Sequence, residues 1–242
     1  MSNSNPRSVK ALLFDVFGTV VDYRSTIIRE GNRINNEKNL EIDWALIADK
    51  WRGKYRPTLN LILNGEMPWT KLDNIHHQAL LDILDELNIN SLSYDEVENL
   101  NRIWHRLSPW GDSVEGLTRL KEKYIISPLS NGNISLLTNM AKYSKLPWDL
   151  ILSPELIQSY KPDEKVYLMA SNYLDLKPQE IMMVAAHQYD LQAAKKLGFH
   201  TAYIFRPLEF GYEKINHLEL APNCEYDYIA NDLVDLARLL GL

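Results

Sequence analysis

The strongest constraint on the fold is a short apolar run that ends in a polar, reactive side chain, a pattern that recurs along the chain. Residues 9–14 form the first such run, which lacks helical spacing and leads directly into Asp15 and the turn residue Gly18. Further runs of this kind lie at residues 124–129, 150–153, 180–185 and 200–205. Helical stretches are predicted at about 133–145, 163–174, 190–197 and 231–240. This alternation predicts an α/β fold with a doubly wound, parallel, Rossmann-like sheet.

Residues 22–106 break this alternation. Apolar side chains recur there at helical spacing, as in Ile47 and Trp51, and no segment has a convincing strand pattern. The stretch predicts an all-helical cap inserted after the first strand. We therefore divide the chain into a core domain of residues 1–21 and 107–242 and a cap domain of residues 22–106. Ligands of open parallel sheets bind at the carboxyl ends of the strands, where such a cap would lie.

Charge and composition exclude several classes of partner. The chain carries 26 basic and 32 acidic side chains without a basic stripe, so no nucleic-acid partner is expected. No stretch approaches the ~20 apolar residues of a membrane span, so no membrane partner is expected either. The single cysteine, Cys224, excludes a disulfide framework and a cysteine-rich metal site. The polar segment 1–10 does not resemble a secretory signal, and the cytoplasm is the expected location.

Polar groups follow four of the predicted strands. Asp15 follows the first, Ser130 and Asn131 follow the second, Lys161 follows the third and Asp190 follows the fourth. Taken singly, such residues are commonly helix N-caps, turn residues or solvated surface lysines. Parallel strands, however, deliver their carboxyl ends to one crevice. The complete set therefore favours a catalytic site over separate structural roles.

The sequence around these groups resembles a known family. Residues 14–19, 129–132 and 160–163, together with the segment at Asp190, are similar to the four motifs of the haloacid dehalogenase superfamily. Within it, the closest similarity is to the type II 2-haloacid dehalogenases, which act on (S)-2-haloalkanoic acids. The resemblance covers nearly the whole chain. It implies metal-independent hydrolysis of short 2-haloacids to 2-hydroxyacids through an aspartyl ester, with inversion and without a cofactor.

Two positions separate this chain from the superfamily's phosphatases. Phosphatases carry a second aspartate two residues after the nucleophile, which protonates the leaving alcohol, but the chain has Phe17 there. They also hold Mg²⁺ with an acidic pair in the fourth motif, whereas residues 185–190 contain one acid. Mg²⁺ prefers several oxygen ligands, so this is a poor metal site. Halide leaves without a proton, and we therefore expect displacement at carbon rather than phosphoryl transfer.

The resemblance assigns the two chemical steps to particular residues. Asp15 attacks the halogen-bearing carbon, and water then hydrolyses the resulting ester. A neighbouring ammonium would keep this carboxylate charged after burial, and Lys161 is the candidate. By resemblance, Ser130 and Lys161 hold the substrate carboxylate, and Thr19 supports the first loop. Asp190 is the candidate that orients or deprotonates the hydrolytic water.

The leaving halide requires hydrogen-bond donors, and the resemblance assigns this role to Arg52 and Asn131. Arginine suits it because its guanidinium stays charged and offers several N–H donors. Tyr167 is expected to form hydrogen bonds within the site. The chain departs from well-known members at Ala185 and His187, where Ser and Asn are usual. His187 would orient water, act as a base near neutral pH, or mark a different substrate or halide preference.

Two alternatives remain open at this point. The first is a Mg²⁺-dependent phosphatase of the same superfamily that uses an unusual acid. The second is a repurposed member that binds a small carboxylate without catalysis. A haloacid is the expected small-molecule partner, and a homodimer is an expectation because family members are often dimers.

Overall fold

The structure of the protein, a computed structural model, describes residues 9–217 and 225–242, and Cys224 lies outside them. Its strands, in chain order, are β1 (Ala11–Phe14), β2 (Val21–Asp22), β3 (Ser108–Pro109), β4 (Ile125–Pro128), β5 (Ile181–Ala185), β6 (His200–Ile204) and β7 (Tyr228–Ala230). Its α-helices are α1 (Tyr23–Lys38), α2 (Trp44–Leu63), α3 (Leu72–Glu86), α4 (Tyr94–Asn101), α5 (Ser113–Lys121), α6 (Ile134–Ser144), α7 (Glu164–Leu174), α8 (Gln188–Lys196) and α9 (Leu233–Leu239).

Within the described residues, five strands form a parallel sheet in the order β4-β1-β5-β6-β7. The central strand β1 is apolar and buried along its whole length, as is typical of parallel strands covered on both faces. Leu12 belongs to a core cluster shared with α5, α6 and α9, whereas Leu13 belongs to a second cluster shared with α7 and α8. Helices therefore cover both faces of the sheet, which confirms the predicted doubly wound α/β fold.

Two strand assignments differ from the sequence prediction. Residues 150–153 are not a ladder strand, because they contribute only an isolated bridge between Leu129 and Leu152. The neighbouring strand β4 ends at Pro128, which has no N–H, and the Ser127 hydroxyl bonds the segment's backbone instead. One edge strand is β7, which sequence analysis did not predict. It has only three residues, and its middle residue is exposed, so it lacks a buried apolar run.

The helices α1 to α4 lie between β2 and β3 in the chain. These two short strands pair antiparallel, with Val21 opposite Pro109 and Asp22 opposite Ser108. The ribbon therefore brings together the two ends of the helical segment beside the sheet. No helix in the described part of the chain is long and apolar enough to cross a membrane. The division of the chain into a core and a cap domain remains a prediction.

An aromatic cluster joins the helical segment to the loop after β1. Trp104 stacks on His76 with 4.0 Å between ring centroids, and it meets Trp51 and Phe17 edge-on at 5.4 and 5.6 Å. Burial lowers the pKa of His76 to about 3, because the buried ring is costly to charge. His76 is therefore a neutral packing residue. Among the described residues, no group of three His, Cys, Asp or Glu side chains is placed to hold a metal ion.

Candidate active site

The three residues predicted to be catalytic meet at the carboxyl edge of the sheet. Asp15 directly follows β1, Lys161 precedes α7, and Asp190 lies in the first turn of α8. The Lys161 Nζ atom lies 3.2 Å from Asp15 Oδ1 and also donates a hydrogen bond to Asp190 Oδ2. All three side chains are buried. One ammonium group thus bridges two carboxylates that are 175 positions apart in the sequence.

The second oxygen of Asp15 accepts two further hydrogen bonds. Thr19 Oγ1 donates to Asp15 Oδ2 over 2.9 Å, and His187 Nδ1 lies 2.8 Å from the same oxygen. The Ala186 N–H donates to Thr19 Oγ1, which orients the hydroxyl hydrogen toward Asp15. Burial alone would raise the pKa of Asp15, but Lys161 and His187 outweigh it and hold that pKa well below its usual range. Asp15 is therefore a buried carboxylate at neutral pH.

Asp190 is held by Lys161 on one oxygen and by Tyr167 on the other. Tyr167, on α7, donates its hydroxyl hydrogen to Asp190 Oδ1 over 2.5 Å. Burial and the negative charge of Asp15 raise the pKa of Asp190, opposed by Lys161. Burial opposes the charge of Lys161, but the two carboxylates outweigh it and raise the pKa of its ammonium group. The site thus holds one carboxylate that resists protonation and one that accepts a proton more readily.

The loop that carries Lys161 is fixed by its own hydrogen bonds. The Lys161 backbone N–H donates to Asn131 Oδ1 over 2.8 Å, which ties the loop to the segment after β4. Asp163 is the N-cap of α7 and accepts a hydrogen bond from the Lys165 N–H. Ser159 donates its hydroxyl hydrogen to Asp163 over 2.7 Å. Asn131 is therefore part of the framework that positions Lys161, besides the halide role predicted for it.

Helix α2 places Arg52 over the site. Asp43 caps its N-terminus and accepts hydrogen bonds from two backbone N–H groups. The Arg52 guanidinium carbon lies 4.7 Å from the ring centroid of Tyr55 and 5.2 Å from that of Tyr23. Asn131 Nδ2 donates to the Tyr55 hydroxyl over 2.9 Å. The two residues predicted to bind halide therefore contact the same tyrosine.

A second arginine, Arg56, joins α2 to the sheet edge. Its guanidinium carbon lies 4.2 Å from the ring centroid of Tyr189, and its Nη1 donates to the Lys161 carbonyl over 3.3 Å. Sequence analysis did not select this residue. Its position one helical turn after Arg52 is the signal that was available.

Ser130 lies two residues after the end of β4, and its side chain is fully buried. Its Oγ atom makes no hydrogen bond to any residue that the structure describes. Buried hydroxyl groups in folded proteins almost always have a hydrogen-bonding partner. The Ser130 hydroxyl thus has its full capacity available for a small polar ligand.

Glu209 is a second site residue that sequence analysis missed. It lies in the segment after β6, is buried, and its Oε1 atom lies 3.0 Å from His187 Nε2. Arg52 Nη2 lies 3.9 Å from the same oxygen. No apolar run leads directly into Glu209, so the strand-end pattern did not reveal it. The available signal was its position five residues after β6, at the edge where the other site residues meet.

The arrangement does not suit a divalent metal. Asp15 and Asp190 share the Lys161 ammonium, and Glu209 faces His187 and Arg52. Mg²⁺ requires oxygen ligands at short distances, and these carboxylates are each directed at a cationic side chain or a ring nitrogen. Phe17, at the position of the phosphatase acid, is buried against Trp104. The donor set therefore fits an organic anion better than Mg²⁺.

Comparisons with known proteins find similar haloacid dehalogenases. The (S)-2-haloacid dehalogenase 4A of Burkholderia cepacia is 28% identical over 223 residues, which are 87% of this chain and 90% of that protein. The solved structure of the L-2-haloacid dehalogenase PA0810 is 42% identical, with a TM-score of 0.91 and coverage of 96% of this chain and 100% of that chain. The defluorinating L-2-haloacid dehalogenase Rha0230 is 43% identical, with a TM-score of 0.93 and coverage of 100% and 98%. Residues 9–198 match the haloacid dehalogenase-like hydrolase family, and the chain belongs to that family.

Proposed function

We propose that this protein is a hydrolytic dehalogenase that converts short 2-haloacids into 2-hydroxyacids through an ester on Asp15. The observation that carries the proposal is the buried Asp15 carboxylate, which Lys161 keeps ionised at a site where Phe17 replaces a proton donor. The names of the similar proteins support the same substrate class.

In the first step, Asp15 Oδ1 attacks the carbon that bears the halogen. Oδ2 already accepts hydrogen bonds from Thr19 and His187, which leaves Oδ1, facing Lys161, as the less restricted oxygen. The new C–O bond forms as the carbon–halogen bond breaks, and its electron pair leaves with the halide. Arg52 and Asn131 supply donors for this developing anion. Attack from the face opposite the halide inverts the carbon.

The substrate carboxylate is held by Ser130 and Lys161. The buried Ser130 hydroxyl lacks a partner within the described protein and is therefore a suitable donor. Lys161 supplies the opposite charge, because its ammonium group is buried between two carboxylates. A short haloacid bound in this way presents its halogen-bearing carbon to Asp15.

In the second step, water attacks the Cγ atom of the Asp15 ester. Asp190 removes a proton from this water, and the raised pKa of Asp190 suits a base. Tyr167 orients Asp190 through its hydrogen bond. The bond between Cγ and the ester oxygen then breaks, and the proton passes to the 2-hydroxyacid. The substrate carbon is untouched in this step, so the inversion from the first step is retained.

The proposal includes independence from metal ions and from other cofactors. It rests on Phe17 in place of the phosphatase acid and on carboxylates that already face cationic groups. We also propose, from the sequence and its resemblance to the family, that the protein is cytoplasmic and forms a homodimer.

The test is halide release from chloro-, bromo- and fluoroacetate and from (S)-2-chloropropionate, with p-nitrophenyl phosphate as the competing substrate. Fluoroacetate is included because one similar protein is described as defluorinating. We expect halide release that survives EDTA, with an inverted product from the chiral substrate. Asp15→Asn, which keeps the side-chain shape but removes the charge, should fall to near background. Loss of activity in EDTA, or faster hydrolysis of the phosphate ester, would replace this proposal with the phosphatase alternative.

A further inference from the structure

His187 lies between two carboxylates that face its two ring nitrogens. Its Nδ1 atom lies 2.8 Å from Asp15 Oδ2, and its Nε2 atom lies 3.0 Å from Glu209 Oε1. A neutral imidazole carries a single N–H, so its other nitrogen would meet a carboxylate oxygen without a hydrogen between them. A protonated ring donates to both. The geometry therefore favours the imidazolium form of His187.

The surroundings of this ring balance its charge. The titratable and charged groups near His187 are Asp15 after β1, Glu209 after β6, Arg52 on α2, Lys161 before α7, and Tyr189 and Asp190 on α8. Burial disfavours the charged ring, but Glu209 and Asp15 outweigh it and raise the pKa of His187 to about 10. Without Glu209, Asp15 would be the remaining direct carboxylate partner, and it already faces Lys161.

The loop after β1 is shaped to accept Glu209. Gly18 has a φ of +84°, and a Cβ atom at this position would lie 2.3 Å from Glu209 Oε1. A larger residue would therefore meet the carboxylate directly. The Asp15 loop and the Glu209 side chain are thus fitted to each other, as expected if Glu209 serves the reacting group.

We infer that Glu209 is a positioning residue that holds His187 as an imidazolium, and that His187 and Thr19 form the oxyanion site for hydrolysis of the Asp15 ester. The inference rests on the proposed function. When water attacks Cγ, the C=O electron pair moves onto Oδ2, and Asp190 takes one proton from the water. As the tetrahedral intermediate collapses, the electron pair on Oδ2 re-forms the C=O bond and the bond from Cγ to the ester oxygen breaks. Asp190 returns its proton to the product oxygen. Asp15 then loses the remaining water proton to solvent.

The two steps place opposite demands on His187. Alkylation of Asp15 removes negative charge from the carboxylate, so a cation beside Oδ2 does not assist that step. Hydrolysis returns negative charge to Oδ2, and a charged donor beside it then stabilises the transition state. Glu209 and His187 should therefore act mainly on ester hydrolysis.

The test is Glu209→Gln, which keeps a hydrogen-bonding side chain of the same shape and removes its charge. Glu213→Gln is the matched control, because Glu213 is exposed in the same segment. Rapid-quench mass spectrometry with chloroacetate separates ester formation from ester hydrolysis. We expect the Gln variant at position 209 to release about one halide per site quickly, to accumulate the ester, and to turn over at least tenfold more slowly at pH 9.

The pH dependence distinguishes a charge effect from a structural one. Removing Glu209 lowers the pKa of His187, so the variant should lose its ring proton at a lower pH than the wild type. At pH 6, the rate of ester hydrolysis in Glu209→Gln should therefore be closer to the wild-type rate. The basic limb of the pH–rate profile for ester hydrolysis should move to lower pH in this variant. Equal losses in both steps with an unmoved limb, or no loss at all, would overturn the inference.

An NMR titration of ¹³C-labelled histidine in the substrate-free protein gives a readout that needs no turnover. The His187→Asn variant identifies the signal. We expect His187 to titrate near pH 10 in the wild type and Glu213→Gln, and at lower pH in Glu209→Gln. A wild-type His187 titration near pH 6.5, or a His187 titration that is the same in the wild type and in Glu209→Gln, would overturn the inference. If the wild type releases no halide, the proposed function and the oxyanion role fail together, while this titration still decides whether Glu209 controls His187.

Discussion

Two networks flank Asp15, and they differ in how their charge is distributed. The lysine network consists of Lys161, Asp190 and Tyr167, and the histidine network consists of His187, Glu209 and Arg52. In the first, one ammonium group is bonded to both Asp15 and Asp190. In the second, Glu209 faces two cationic groups, and one of them comes from helix α2.

The positive charge of the lysine network is concentrated on one residue, whereas that of the histidine network is shared between two residues. Lys161 compensates two buried carboxylates, so its removal would leave both without their main cationic partner. The loss of Arg52 would leave Glu209 with His187 still beside it. Breaking a buried charge pair by removing one partner destabilises a protein by about 3–5 kcal/mol. The lysine network should therefore be the more sensitive of the two.

The largest effect is expected for Lys161→Met, which replaces the ammonium with an apolar group of similar length. The pKa of Asp15 should rise, because its main cationic neighbour is lost. We expect halide release to fall by about a thousandfold or more. The free energy of unfolding should fall by about 3–5 kcal/mol. Chemical denaturation of Lys161→Met and of Arg52→Met measures this free energy in both networks. An equal loss of unfolding free energy in the two variants would contradict the contrast between the networks.

A smaller effect is expected for Arg52→Ala. Halide charge develops only as the carbon–halogen bond breaks, so the guanidinium should act on that step. By analogy with the loss of one oxyanion donor, the alkylation rate should fall by about a hundredfold. Single-turnover halide release measures this rate directly. Arg33→Ala is the control, because Arg33 is two-thirds exposed on α1. If both variants keep the wild-type rate, Arg52 has no part in halide departure.

The smallest effect is expected for Tyr167→Phe, which removes one hydrogen bond to Asp190 and keeps the ring. A hydrogen bond to a charged group contributes about 1.5–3 kcal/mol, so ester hydrolysis should slow by about ten- to a hundredfold. Ester formation should change little, because Tyr167 contacts Asp190 and not Asp15. Rapid-quench measurement of both steps tests this. A defect confined to ester formation would show that Tyr167 acts on the nucleophile instead.

The lysine network could be predicted from the sequence, whereas the histidine network could be predicted only in part. Asp15 and Asp190 sit next to apolar strands, and the parallel sheet brings such positions together. His187 was recognised as a departure from the family pattern, but its partner was not. Glu209 reaches the site through the path of the segment after β6, which no local pattern specifies.

The strand assignments also show what local sequence patterns do not specify. An apolar run predicts burial and extended backbone, but it does not specify a pairing partner. Residues 150–153 have the run but form only one bridge, because Pro128 and the Ser127 hydroxyl interrupt a regular ladder on the neighbouring strand. Strand β7 forms one edge of the sheet without such a run. Pairing of this kind depends on contacts between distant segments.

The central claim is that Asp15 carries the substrate as an ester, and a single turnover in H₂¹⁸O tests it most directly. With the enzyme in excess over (S)-2-chloropropionate, the hydroxyl oxygen of the product should come from Asp15 and contain ordinary oxygen. One ¹⁸O atom should appear in the Asp15 carboxylate, which peptide mass spectrometry would locate. Label found in the hydroxyl group of the first product, with none in Asp15, would show direct attack by water and contradict the account.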